Sequence, residues 1–103
     1  MILSIGWYKN KWLKIEDIYI CANDRGLKFG DGIFETILIK NKKAILIDKH
    51  IQRLENSSRI LSIDLNINKL YLKEVISLGI EKLSLKNNQL GSIRINYSRG
   101  LNQ

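Results

Sequence analysis

Three glycines within seven residues, Gly26, Gly30 and Gly32, run straight into Ile33–Ile39, a segment rich in β-branched side chains. Glycine reaches backbone angles closed to other residues, so Asp24–Gly32 reads as a loop and the segment after it as a strand. That order is restrictive. A dinucleotide-binding turn needs a strand before its glycines and a helix after them, and here a strand follows. No Gly-Lys-Ser/Thr is present to make a phosphate loop. Taken by itself, the segment is a tight structural connection.

The rest of the chain has no linker, repeat or low-complexity tract. Ile2–Tyr8 and Trp12–Ile15 flank the polar break Lys9-Asn10-Lys11, which predicts a β-hairpin, and Glu16–Asn23 reads as irregular. Lys40-Asn41-Lys42-Lys43 is a turn and Ala44–Ile47 the returning strand. Asp48 is the expected N-cap of a helix over Lys49–Ser62, with Ile51, Leu54, Ser58 and Leu61 as its apolar stripe. A second helix is expected over Asn68–Leu85, burying Leu72, Val75, Ile76, Gly79, Ile80 and Leu83. In Leu90–Ser98, Ile93, Ile95 and Tyr97 alternate with Arg94, Asn96 and Ser98, as in a half-buried strand. Strands, two helices, then a strand give an α+β fold: a largely antiparallel sheet with two helices on one face. At 103 residues it is a single domain.

Composition narrows the chemistry. Twelve Lys and five Arg against ten acidic residues leave a net charge of +7, which points to an anionic partner. The accompanying excess of Ile and Asn, with no Pro, also marks a compositional bias that raises Lys without any ligand. A small basic nucleic-acid-binding module is the rival reading from another class. It lacks support, since the two Trp and four Tyr are scattered and no RNA-binding signature is present. The single Cys21 excludes a disulfide framework, and the single His50 speaks against a metal site. No apolar run approaches the roughly 18 residues of a membrane span, and no secretory signal is evident, so a cytoplasmic location is expected. No spacing singles out a Ser-His-Asp triad. His50 and Arg53 share a helix face, where an Arg fork could grip a phosphate or simply be solvated.

The two features gain meaning together. Asp24-Arg25-Gly26-Leu27-Lys28-Phe29-Gly30-Asp31-Gly32-Ile33-Phe34-Glu35-Thr36, a hairpin, and then Asp48-Lys49-His50-Ile51-Gln52-Arg53-Leu54 closely resemble the N-terminal domain of class IV, fold-type IV pyridoxal-phosphate enzymes. That family includes 4-amino-4-deoxychorismate lyases, branched-chain aminotransferases and D-amino-acid aminotransferases. The resemblance runs from about Gly6 to Gly100, and the Ser98-Arg99-Gly100 ending is most similar to the lyases and D-amino-acid enzymes. It implies that Arg53 binds the phosphate of pyridoxal 5′-phosphate and that Phe34 lines the cleft. Strand alternation adds Thr36 and Leu38 to the pocket wall. Arg94 sits near a substrate-contacting arginine of some branched-chain enzymes.

The resemblance also implies what this chain lacks. In the family the Schiff-base lysine lies in a second, larger domain, and none of the twelve lysines here matches it. The expectation is therefore the small N-terminal domain, residues 1–103, of a longer enzyme, inactive alone and part of a homodimer. By resemblance, that enzyme would release pyruvate from aminodeoxychorismate to give 4-aminobenzoate for folate synthesis. Amino transfer on branched-chain or D-amino acids is the alternative.

Overall fold

Lys9 and Asn10 both take left-handed backbone angles, φ 51° and 64°, the geometry that lets a two-residue turn follow the twist of its strands. They join β1 (Ile5–Tyr8) to β2 (Lys11–Lys14), with Trp7 opposite Trp12. The computed structural model describes residues 4–101, so the first residues of the expected hairpin lie outside the described residues. A 3₁₀ turn, Ile15–Asp17, leads into irregular chain.

The glycine-rich segment is not all loop. It contains a short helix, α1 (Arg25–Phe29). Asp24 caps it, Oδ1 accepting from the Gly26 amide at 2.8 Å, and Gly30 ends it at φ 63°. Open space surrounds the Gly30 α-carbon, so the backbone angle and not crowding calls for glycine there. The glycines act as a helix stop before β3 (Gly32–Lys40).

β3 turns through Asn41 and Lys42, again at positive φ, into β4. β4 is only Lys43–Ala44. The expected strand to Ile47 is cut short because α2 (Ile47–Ile60) begins there, with Leu46 at φ 57° before it. Asp48 accordingly is not the N-cap. It sits in the first helical turn and pairs with Lys73 at 2.5 Å and Lys69 at 3.3 Å. Leu61 is past the helix end and exposed, so it leaves the apolar stripe that Ile51, Leu54 and Ser58 keep.

Asn68 caps α3 (Lys69–Leu83), accepting from the amides of Leu70 and Tyr71. β5 (Gly91–Ser98) then pairs antiparallel with β3 along its length, giving the order β4-β3-β5. The strands thus form two separate antiparallel sheets, where a single one was expected. The fold remains α+β, with α2 packed on the inward face of β3 and α3 against β4 and the hairpin. Ile33, Ile37, Ile51, Leu54, Ile63, Leu72 and Ile76 make the core between them. The hairpin rests on α3, where the Trp12 ring occupies the place a Cβ at Gly79 would take, and Trp7 meets Tyr71 edge to face. Among the described residues no helix is long and apolar enough to cross a membrane.

Candidate functional site

Alternation along β3 sends Ile33, Glu35, Ile37 and Ile39 toward the helices and Phe34, Thr36 and Leu38 outward. Glu35 is the one charged side chain in that inward row. Only 6% of it is exposed. Burial of a lone carboxylate is costly, so its partners matter.

Those partners come from one face of α2. Arg53 donates from Nε to Oε2 at 2.9 Å and from Nη2 to Oε1 at 2.9 Å, a side-on fork. His50, three residues earlier and hence on the same helical face, lies with Nδ1 2.7 Å from Oε1. The hydrogen bonds from Arg53 hold the Glu35 carboxyl below the usual glutamate range. Burial opposes them, and His50 adds to the lowering. An ionised carboxylate only accepts, so the Nδ1–H of His50 is the donor in this contact. Glu35 in turn raises the Arg53 pKa. The arrangement is lopsided: the carboxylate is buried, yet the Arg53 side chain is 67% exposed.

The outward face carries the remaining expected residues. Arg94 lies opposite Thr36 in the β3–β5 register, and its guanidinium stacks on the Phe34 ring at 4.1 Å. Its Nε donates to Asn96 at 3.0 Å. Phe34 and Leu38 are both exposed. The structure therefore brings Phe34, Thr36, Leu38 and Arg94 together and places Arg53 on the other side of β3. Beyond Leu38, toward Gly32, no described strand pairs with the edge of β3 opposite β5.

A second cluster closes the end of β3. Asp31 accepts from Arg25 Nε at 2.7 Å and Arg99 Nε at 2.8 Å, and these bonds, Arg99 first, hold its carboxyl below the usual range. Arg99 also donates to the carbonyls of Leu61 and Ser62 just after α2. Ser98 Oγ donates to Asp24, and the Arg25 amide to the Gly100 carbonyl. The Asp24–Gly26 and Ser98–Gly100 segments are thus two halves of one clasp. Sequence reasoning missed this clasp and the role of Glu35. The signal for Glu35 was present, because a glutamate occupies an inward phase otherwise filled by isoleucine. Among the described residues no group of three or more His, Cys, Asp or Glu could hold a metal.

Comparison with known proteins gives the arrangement a context. D-alanine aminotransferase of Listeria monocytogenes serotype 4b (strain F2365) is 36% identical over 93 residues, 89% of this chain and 31% of that protein. A hypothetical aminotransferase from Mycobacterium tuberculosis, solved in a PLP-bound form, superposes with a TM-score of 0.81 at 26% identity, over 89% of this chain and 32% of that one. 4-Amino-4-deoxychorismate lyase from Pseudomonas aeruginosa superposes with a TM-score of 0.68 at 28% identity, over 84% and 29%. The chain thus spans about a third of the length of these relatives. The family profile described as amino-transferase class IV matches residues 32–103, and the chain belongs to that family.

Proposed function

We propose that this chain forms the small domain of a pyridoxal-phosphate-dependent enzyme, with Arg53 holding the cofactor phosphate. The state of Arg53 carries the reading. Its Nε–Nη2 edge is engaged by Glu35 while the side chain stays mostly exposed, and Nη1 donates to no described residue. A planar cation fixed on one edge and open on the other fits a phosphate's paired oxygens. Phe34, Thr36 and Leu38 would wall the substrate side and exclude water, and Arg94, stacked on Phe34, would face a substrate carboxylate. When bound, pyridoxal phosphate supplies an electron sink for bonds at the amine-bearing carbon.

The lysines support a division of labour between two domains. Eleven of the twelve are exposed, and Lys73, the partly buried one, pairs with Asp48. A lysine neutral near pH 7 needs burial or a cationic neighbour, so the reactive amine belongs to a larger second domain. A cytoplasmic homodimer with a small-molecule substrate completes this reading, and the exposed Phe34 and Leu38 support a covering domain.

Of two reactions, amino transfer has the stronger support, from the 36% identical D-alanine aminotransferase. Pyruvate release from aminodeoxychorismate is the second reading, favoured by the likeness to the Pseudomonas lyase. Assaying the two-domain enzyme for amino transfer to 2-oxo acids against 4-aminobenzoate release separates them. The phosphate assignment is tested on the chain itself by NMR titration with pyridoxine 5′-phosphate, which has no aldehyde to condense with lysines. Arg53 and His50 resonances should shift with this ligand and not with pyridoxine. Equal binding by Arg53→Ala would refute the assignment.

A further inference from the structure

We infer that Glu35, braced by His50, is the positioning residue that presents the outer edge of Arg53 to a phosphate monoester, an inference that rests on the assignment of Arg53 above. Three observations converge on it. First, Glu35 interrupts a buried inward row of Ile33, Ile37 and Ile39. Replacing a buried ion pair by hydrophobic groups is often neutral or stabilising, so stability alone gives little reason for a carboxylate there.

Second, the pair is buried on one side only. A bridge serving the core would bury both partners, whereas here the carboxylate is 6% exposed and the Arg53 side chain 67%. The buried member holds and the exposed member is held. Side-on engagement through Nε and Nη2 fixes the plane of the guanidinium and leaves its Nη1–Nη2 end directed away from the carboxylate. A free arginine would lose much side-chain entropy on gripping a ligand, and a pre-oriented one loses less.

Third, the carboxylate is itself held from behind. His50 donates through Nδ1 to Oε1, the oxygen that also takes Arg53 Nη2. The imidazole therefore restricts rotation of the carboxylate about its last bond. His50 and Arg53 are three residues apart on α2, so one rigid helix sets both contacts. A negative charge beside a phosphate also repels it. The inference requires the gain in orientation to exceed that repulsion, and this makes the sign of the effect testable.

The probe is pyridoxine 5′-phosphate, titrated into the chain and followed through Arg53 Nε–Hε and through His50, the single histidine. Glu35→Gln keeps the side chain's shape and one acceptor, so the fold should survive, and it should weaken phosphate binding about tenfold. In an Arg53→Ala background the same change should have no effect on binding, because Glu35 then has nothing to position. Binding by Glu35→Gln that equals or exceeds wild type would overturn the positioning role while leaving the Arg53 assignment intact. Loss on Glu35→Gln that persists without Arg53 would reduce Glu35 to a structural role. Equal binding by Arg53→Ala would remove both readings. A measurement on the unmodified chain stands beside these: before any ligand is added, the Arg53 Nε–H should exchange slowly with solvent. Rapid averaging of that proton would overturn the inference.

Discussion

Gly79→Ala should destabilise the protein, although alanine is the better helix former. Gly79 is buried in the interior of α3, where glycine costs about 1 kcal/mol relative to alanine. In isolation the substitution would therefore stabilise. The added methyl, however, would fall on the Cη2, Cζ2 and Cζ3 atoms of the Trp12 ring. That ring is rigid, and moving it means moving β2. Overpacking of this kind costs about 1–3 kcal/mol, so the net change is a loss of up to about 2 kcal/mol. At roughly 4–8 °C per kcal/mol the melting temperature should fall measurably. Urea unfolding followed by two signals reads the effect, because Trp7 and Trp12 both lie in the hairpin and report its docking by fluorescence, while far-UV circular dichroism reports the helices. Fluorescence should move before the helical signal. In a Trp12→Leu background, which removes the ring atoms, Gly79→Ala should change sign and stabilise by about 1 kcal/mol. A stabilising Gly79→Ala in the otherwise unaltered chain would refute the packing of the hairpin on α3.

Acid should destabilise the protein with a share traceable to Glu35. Its carboxyl titrates below the ordinary glutamate range near pH 4, so its contribution is complete above that range and is lost as pH falls through the lowered value. Urea midpoints measured from pH 6 downward should therefore fall less steeply for Glu35→Gln, and parallel curves would refute this. Arg99→Ala should open the clasp around Asp31, seen as faster amide exchange at residues 24–31 with α3 unaffected; uniform acceleration would point to global destabilisation instead. Borohydride reduction of the chain with pyridoxal phosphate should label several of the exposed lysines. A single stoichiometric site, coupled to turnover, would show a catalytic centre within this chain.

Much of the fold was legible because its signals are local. The alternation of β3 and β5 and the turn at Asn41-Lys42 each depend on neighbours a few residues apart. Periodicity also identified most of the buried faces of α2 and α3, though Leu61 is exposed and Ile80 and Leu83 are only half-buried. Tertiary packing decided the rest. Asp48 offers its carboxylate to Lys69 and Lys73 across the helix pair, so it does not cap α2. The hairpin separates from the main sheet because its tryptophans find α3.

The site divides along the same line. Family likeness in the sequence singled out Arg53, Phe34 and Arg94 as types suited to a phosphate and a pocket wall. Strand alternation put Phe34, Thr36 and Leu38 on one face, and the β3–β5 register set Arg94 beside them. Sequence did not disclose that Arg53 lies on the opposite face, nor that Glu35 holds it and His50 in turn holds Glu35. Those contacts join residues 15 and 18 positions apart, and the Asp31–Arg99 bond spans 68. A local pattern records which side of its own strand or helix a residue faces. Which charge waits across the gap is settled only when the chain closes, since a buried carboxylate must find donors wherever the fold supplies them.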